Sequence, residues 1–375
     1  MKRTTSLIAL ILVLAMVLTA CGGAKDKAPA EGKEPAEKSE EKQEGKEEGK
    51  EEGKTLKIGF VTDEGGINDQ SFNQGVWEGI QKAKDEFGFE TTFVESKTAD
   101  DYKQNFETMA DQEPDVLIAA GFKMAEDVFE FAKKYPEIKV AVVDVDPTNG
   151  GTVEAPANIR GLMFKANEPS FLVGYIAGLT SQTNKVGFVG GMESPLILEF
   201  DYGYRAGVLY AAKEKGEDIE CMVQYVGNFS DAQKGKSIAN TMFQNGADVV
   251  YHAAGGAGDG VINAAEEQGK WAIGVDRDQN DLAPDAVLTS AMKNANVVVY
   301  NLLKDIAEND KFEGGVTQTF GLKDQGAVGI APTSDKNVAP EVLEKVKGIE
   351  EKIVNDEIIV PNTEESFAEF QANLK

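Results

Sequence analysis

The sequence predicts an α/β protein of two doubly wound parallel-sheet lobes. Three observations support this. From residue 56 onward, short apolar runs alternate with amphipathic segments, the pattern of βαβ units whose crossover helices cover both faces of a sheet. The alternation comes as two series joined by several short links, which implies two lobes and a cleft. Polar residues recur just past the strand ends, where open α/β sheets place ligands.

The first series opens with a strand over 56–61. A polar turn follows, Thr62-Asp63-Glu64-Gly65-Gly66-Ile67-Asn68-Asp69-Gln70-Ser71-Phe72-Asn73-Gln74, and then a helix over 75–87. Strands at 90–95, 116–120 and 139–145 alternate with helices at 100–112 and 124–135. After an extended stretch at 158–164, the second series places helices at 168–181, 200–215, 232–245 and 258–268. Its strands fall at 185–189, 220–225, 249–253 and 271–275. Extended segments at 286–292 and 315–320 bracket a helix at 295–307, and a late helix covers 341–354. The predicted N-terminal lobe is 55–160 plus about 291–314, and the C-terminal lobe 161–290 plus about 315–375.

The first 54 residues carry a different message. Lys2 and Arg3 precede an apolar run of 12 residues, 7–18, too short to span a bilayer comfortably and suited to a signal peptide. Leu18-Thr19-Ala20-Cys21 reads as a lipobox, with cleavage after residue 20 and diacylation of Cys21. Residues 24–53 are almost all Lys, Glu, Gly, Ala, Pro, Ser and Gln. They hold nothing that could fill a core, so a solvated tether of about 30 Å mean reach is expected.

Composition excludes several function classes. A net charge of -26 argues against nucleic acid and against anionic ligands. Two cysteines and a single histidine, His252, leave no material for a disulfide scaffold, a Cys/His metal site or a His-dependent triad. No cofactor motif survives inspection. Gly255-Gly256-Ala257-Gly258-Asp259-Gly260, with Asp276 beyond it, imitates a dinucleotide fingerprint, but Val261 stands where the third glycine belongs. Glycines here instead suit close backbone approach to a ligand.

Residues just past strand ends are the site candidates: Asp63, Asp144 or Asp146, Gly256, Asp276 and Lys293. Each has a structural alternative: an Asx turn or helix cap for Asp63, turn positions before Pro147 for Asp144 and Asp146, a solvated lysine for Lys293. Phe72 at a helix start is either core or ligand platform, and Phe229, isolated in the polar loop Gly227-Asn228-Phe229-Ser230-Asp231, is a second platform candidate. Asp69 and Gln70 read as shapers of the turn and helix start. His252 reads as structural and Cys221 as a buried free thiol.

Several ordered motifs together resemble the basic membrane protein family of lipoproteins: the lipobox, Asp69-Gln70-Ser71-Phe72-Asn73, Glu168-Pro169-Ser170-Phe171-Leu172-Val173-Gly174-Tyr175-Ile176-Ala177-Gly178, Lys185-Val186-Gly187-Phe188-Val189-Gly190-Gly191 and Gly274-Val275-Asp276. The resemblance covers 56 to about 332. It implies a type I periplasmic-binding-protein fold with three hinge crossings, and capture of a purine nucleoside (inosine, guanosine or adenosine) for ABC transporter permease subunits. It implies base stacking by Phe72 and Phe229, polar contacts from Asp63, Asn73, Asp144, Asp276 and Lys293, and backbone approach at Gly256. The expected product is a monomeric, non-enzymatic binding protein, lipid-anchored on the extracytoplasmic face of the bacterial membrane, without cofactor, metal or nucleic acid. Acids suit the hydroxyl and N–H donors of a nucleoside and repel phosphate. Alternatives are a sugar-binding protein of the same fold, a signalling lipoprotein, or a nucleoside-cleaving enzyme, for which no nucleophile–base–orienter set is visible.

Overall fold

The computed structural model describes residues 55–374; the predicted signal peptide, lipobox and tether lie outside the described residues. The first sheet contains β1 (Lys57–Val61), β2 (Glu90–Val94), β3 (Val116–Ala120), β4 (Lys139–Val143) and β5 (Ile159–Phe164). Helices α1 (Phe72–Phe87), α2 (Tyr102–Ala110) and α3 (Ala125–Lys134) connect the first four of these strands. The chain then builds α4 (Asn167–Thr180), β6 (Lys185–Gly190), α5 (Pro195–Lys215), β7 (Glu220–Tyr225), α6 (Ala232–Gln244) and β8 (Val249–Ala253). It continues through α7 (Gly258–Gln268), β9 (Trp271–Asp276), β10 (Val287–Lys293), α8 (Ala295–Asn309), β11 (Val316–Phe320) and β12 (Val328–Ile330), and ends in α9 (Pro340–Val354) and α10 (Glu364–Leu374).

Two six-stranded sheets result, ordered β11-β5-β4-β3-β1-β2 and β12-β10-β9-β8-β6-β7. Every pairing in the first is parallel. In the second, only β12 runs antiparallel, against β10. Central strands β1, β3, β4 and β8 are buried nearly throughout, which is why they read as unbroken apolar runs, whereas the edge strands β2 and β7 alternate with polar residues.

Hydrogen bonding shifts the lobe boundaries from those expected. β5 lies wholly in the first sheet, beside β4, and β11 pairs with β5 rather than joining the second sheet. β10 completes the second sheet through Lys293. The three crossings therefore fall after Phe164, Lys293 and Phe320, three to six residues later than expected from apolar pattern alone, which does not tell a strand which neighbour it will pair with. Between them the crossings are tied together: Lys165 N–H donates to the Phe320 carbonyl (2.8 Å) and Leu322 N–H to the Glu168 carboxylate (2.7 Å).

Local chemistry sets the helix ends. α5 starts at Pro195, five residues before the predicted start, because the Ser194 side chain accepts from Ile197 N–H and proline suits the first helical position. It stops at Gly216, whose left-handed φ of 66° no β-carbon obstructs. α10 and β12 are elements the sequence pattern did not predict.

The tightest packing joins α4 and α5. α4 is buried from Asn167 through Gly178, and glycines let the two backbones meet. A β-carbon on Gly174 would overlap the Tyr204 carbonyl, one on Gly203 the Asn167 carbonyl, and one on Gly207 the Phe171 carbonyl. Gly207→Val should therefore destabilise by about 1–3 kcal/mol or more through overpacking. Gly348→Ala, inside α9 with nothing within 4 Å of the new carbon, should stabilise by about 1 kcal/mol. Urea midpoints of the two variants, moving in opposite directions, check this.

Candidate functional site

Loops at the carboxyl ends of both sheets converge on one cleft. Its walls include Asp63, Phe72, Asn73 and Asp144 from the first lobe, and Phe229, Gly256, Asp276 and Lys293 from the second. All eight sequence-predicted candidates thus share one cavity. Counted together with its solvent mouth, it holds about 550 Å³ of atom-free space.

The loop after β1 is built around Asp69. Its carboxylate accepts from the N–H groups of Ser71 (2.9 Å), Asn73 (2.9 Å) and Gln74 (3.0 Å) and from Asn73 Nδ2 (3.0 Å). Those are the orphan donors at the start of α1, so Asp69 serves as the cap. With the helix start fixed, Phe72 and Asn73 are presented to the cleft. Asn73 Nδ2 also donates to Asp63 Oδ1 (2.7 Å), which further accepts Gly65 N–H (2.9 Å). Asn73 Oδ1, buried, has no hydrogen-bond partner among the described residues. Gly121, at the end of β3, makes room for the Asp63 carboxylate, which a β-carbon would meet at 2.8 Å.

Asp144 and Asp276 occupy equivalent positions at the ends of β4 and β9. Both have φ of 65°, left-handed backbone that side chains other than Asn and Asp seldom adopt. Of Asp144 and Asp146, Asp144 is the one that lines the cleft. Asp146 turns away and holds its own loop, accepting from Thr148 N–H (2.9 Å), Gly150 N–H (2.7 Å) and the Thr317 hydroxyl. Asp144 instead meets Lys293 across the lobes, with Nζ at 2.5 Å from Oδ2, both side chains buried. Asp144 Oδ1 has no partner among the described residues. The same ammonium lies 4.3 Å from the Phe72 ring centroid. Lys293 is therefore neither solvated nor free.

Burial pushes Asp63 up to about 6, with Asp69 and Glu64 adding to the rise against the hydrogen bonds from Gly65 and Asn73. Asp276 is likewise pushed up to about 6 by burial, against the opposing pull of Lys293 and the Ser71 hydroxyl. Burial lowers the Lys293 pKa, but Asp144 and Asp276 more than reverse this and leave it raised.

Sequence reasoning missed other residues in and beside the site. Phe122 packs edge-on against Phe229, with centroids 6.2 Å apart and planes at 79°. It stands two residues past β3, the same offset that singled out Asp63, so the signal was there. Glu199, on α5, is not among the lining residues but interacts electrostatically with the Asp144–Lys293 pair, and nothing in the sequence pattern singles it out. It is pushed up to about 7 by burial and by Asp144, with Lys293 opposing. The glycine run also divides differently from expectation. Gly255, at φ 54°, and Gly256 border the cleft. Gly258 gives way to the His252 ring and Gly260 to the Ala232 carbonyl, so those two serve helix packing. His252 is fully buried and structural, with Nε2 3.0 Å from Gln279 Oε1.

Two lobes with three crossings and a polar–aromatic cleft define a solute-binding protein of the type I periplasmic fold. The chain belongs to the family of PnrA-like ABC transporter substrate-binding proteins (Bmp), whose profile matches residues 56–364. It is 36% identical to the CD4+ T-cell-stimulating antigen of Listeria innocua, over 96% of this chain and 99% of that one. It is also 36% identical to the ABC transporter nucleoside-binding protein BmpA of Lactococcus lactis, over 82% and 89%. Among solved structures, an ABC transporter solute-binding protein from Aeropyrum pernix superposes with a TM-score of 0.76 at 26% identity, covering 85% of this chain and 97% of that one. The family comprises transport substrate-binding proteins, not enzymes.

The raised acids give a signed pH dependence. A carboxyl whose folded pKa exceeds its unfolded value of about 3.9 stabilises the fold fully below that value and loses the contribution as pH rises through the folded pKa. Asp63 and Asp276, at about 6, place the loss between roughly pH 4 and 7. The unliganded protein should therefore have a higher urea midpoint at pH 5 than at pH 7. Asp63→Asn should flatten that difference.

Proposed function

We propose that this protein captures a purine nucleoside in the interlobe cleft and delivers it to an ABC importer. The observation that carries the reading is the pairing of aromatic faces with buried acceptors. Phe72 and Phe229 line the cleft together with Asp63, Asn73, Asp144 and Asp276. A nucleoside has a flat base for the rings and hydroxyl and N–H donors for the acceptors. Phosphate would have to approach these carboxylates, and the cleft's one lysine is already committed to Asp144. A relative that shares 36% identity is named for nucleoside binding, which supports the reading.

In this reading Phe72 and Phe229 hold the base and the carboxylates take the ribose hydroxyls and base N–H groups. Ligand bridges the lobes and shifts the protein towards the closed form. Cys21 carries the lipid that keeps the lobes at the extracytoplasmic face of the membrane.

Calorimetric titration with inosine, guanosine, adenosine and ribose tests the ligand class. Nucleosides should bind and ribose alone should not. Phe72→Ala should weaken nucleoside binding by about 5- to 150-fold, the loss of one stacked ring. Heat with ribose and none with any nucleoside would sink the reading. Separately, Cys21→Ser should move the protein from the membrane to the soluble fraction on cell fractionation; retention at the membrane would count against the lipid anchor.

A further inference from the structure

Next to the candidate ligand residues, the two lobes are hydrogen-bonded directly to one another at a second place besides the Lys293–Asp144 pair. The turn at Gln70 and Ser71 meets the segment 276–279 that follows β9. Gln279 Nε2 donates to the Gln70 carbonyl (2.9 Å), Arg277 Nη1 donates to Gln70 Oε1 (3.0 Å), and the Ser71 hydroxyl donates to Asp276 Oδ2.

The Gln279 side chain is completely buried and its orientation is fixed from within its own lobe. Oε1 accepts Val275 N–H at 2.9 Å, an obligate donor, so the other amide atom is the nitrogen. The same Oε1 lies 3.0 Å from His252 Nε2, which makes that nitrogen the protonated one. His252 is held in turn by α7, which packs on its ring through Gly258. Gln279 N–H donates to Ser290 Oγ (3.2 Å). Three bonds thus aim one N–H at the first lobe. The receiving carbonyl belongs to Gln70, which has φ of 55°. A glutamine in left-handed backbone is strained by about 1–2 kcal/mol, and such strain persists only where surroundings over-determine it.

We infer that Gln279 is a positioning residue, a prealigned latch that holds the Gln70–Asn73 turn against the second lobe and so sets how much of the unliganded protein is already closed. The inference rests on the binding-protein reading but not on which ligand is bound. Apparent affinity scales with the fraction of protein in the binding-competent form, so a residue that touches no ligand would tune it. The latch also places the turn that carries Phe72 and Asn73, so both ring and amide are positioned before ligand arrives.

Gln279→Glu tests this. It keeps an oxygen for Val275 and His252 but replaces the donor facing the Gln70 carbonyl with an acceptor. Hydrogen exchange of the full-length, unliganded protein is followed by mass spectrometry, with inosine titration alongside. Peptides over 62–74 should exchange about three- to tenfold faster in the variant, the scale of one lost hydrogen bond, while peptides over α4 stay unchanged. Inosine affinity should fall by a similar factor. Unchanged exchange over 62–74 would overturn the latch, whether or not inosine binds. Arg277→Met provides the second variant should exchange rise everywhere in Gln279→Glu. The Arg277 side chain is partly exposed, and apart from Gln70 it meets Asp281 at 3.9 Å. Faster exchange confined to 62–74 in that variant supports the latch, and wild-type exchange there overturns it. Failure of wild type to bind inosine, with the exchange difference intact, would count against the nucleoside reading alone.

Discussion

The buried pair between Asp144 and Lys293 is the constraint on which the cleft depends. Four aspartates and this one lysine are the charged residues lining it. A buried carboxylate is costly unless it is paired or hydrogen-bonded. Lys293 meets that need from the far lobe, so the electrostatics of each lobe are completed only when the other is present. Asp63 and Asp276, which lack a direct ion pair, show the alternative outcome: both are pushed up to about 6 by burial. The cleft therefore contains one satisfied pair and a set of carboxylates poised for donors.

That arrangement follows from how parallel sheets end. Strands β4 and β9 each terminate in an aspartate with left-handed φ, placing a short acidic side chain at the same point of each lobe. Asp69 then fixes the start of α1, so the aromatic ring of Phe72 reaches the cleft and the amide of Asn73 donates to Asp63. The end of β9, the residue just past β4 and the capped start of α1 carry Asp276, Asp144, Phe72 and Asn73, which keeps the cost of ordering these four out of the binding step.

Much of this was legible in the sequence because each signal was local. The central strands are apolar on both faces, and the carboxylates fall at their ends or within two residues past them. The lobe boundaries were not legible to better than a few residues, since β5 and β11 choose their sheet by pairing with strands distant in sequence. The roles of individual glycines were also hidden. Gly256 borders the cleft, while Gly258 and Gly260, two and four residues on, exist for the His252 ring and the Ala232 carbonyl. Glu199 and Gln279 gave no signal because a glutamate in a helix and a glutamine in a turn look the same whether buried or solvated. Phe122 is the instructive miss: its offset from β3 matched the rule that found Asp63, and an aromatic was passed over where an acid was not.

The acceptors that stay buried without a partner, Asn73 Oδ1 and Asp144 Oδ1, turn the cleft's cost into selectivity. A ligand that closes the lobes without offering donors leaves those oxygens desolvated, at about 1–3 kcal/mol each and more for the charged one. A ligand with donors at both points recovers that energy on the first lobe, which carries Asn73 and Asp144, and gains Phe229 and Asp276 only when the second lobe closes on it. Affinity and closure are then one free-energy change. The strongly negative chain, which would disfavour any anion on approach, and the donor-seeking cleft, which would disfavour it on arrival, act in the same direction.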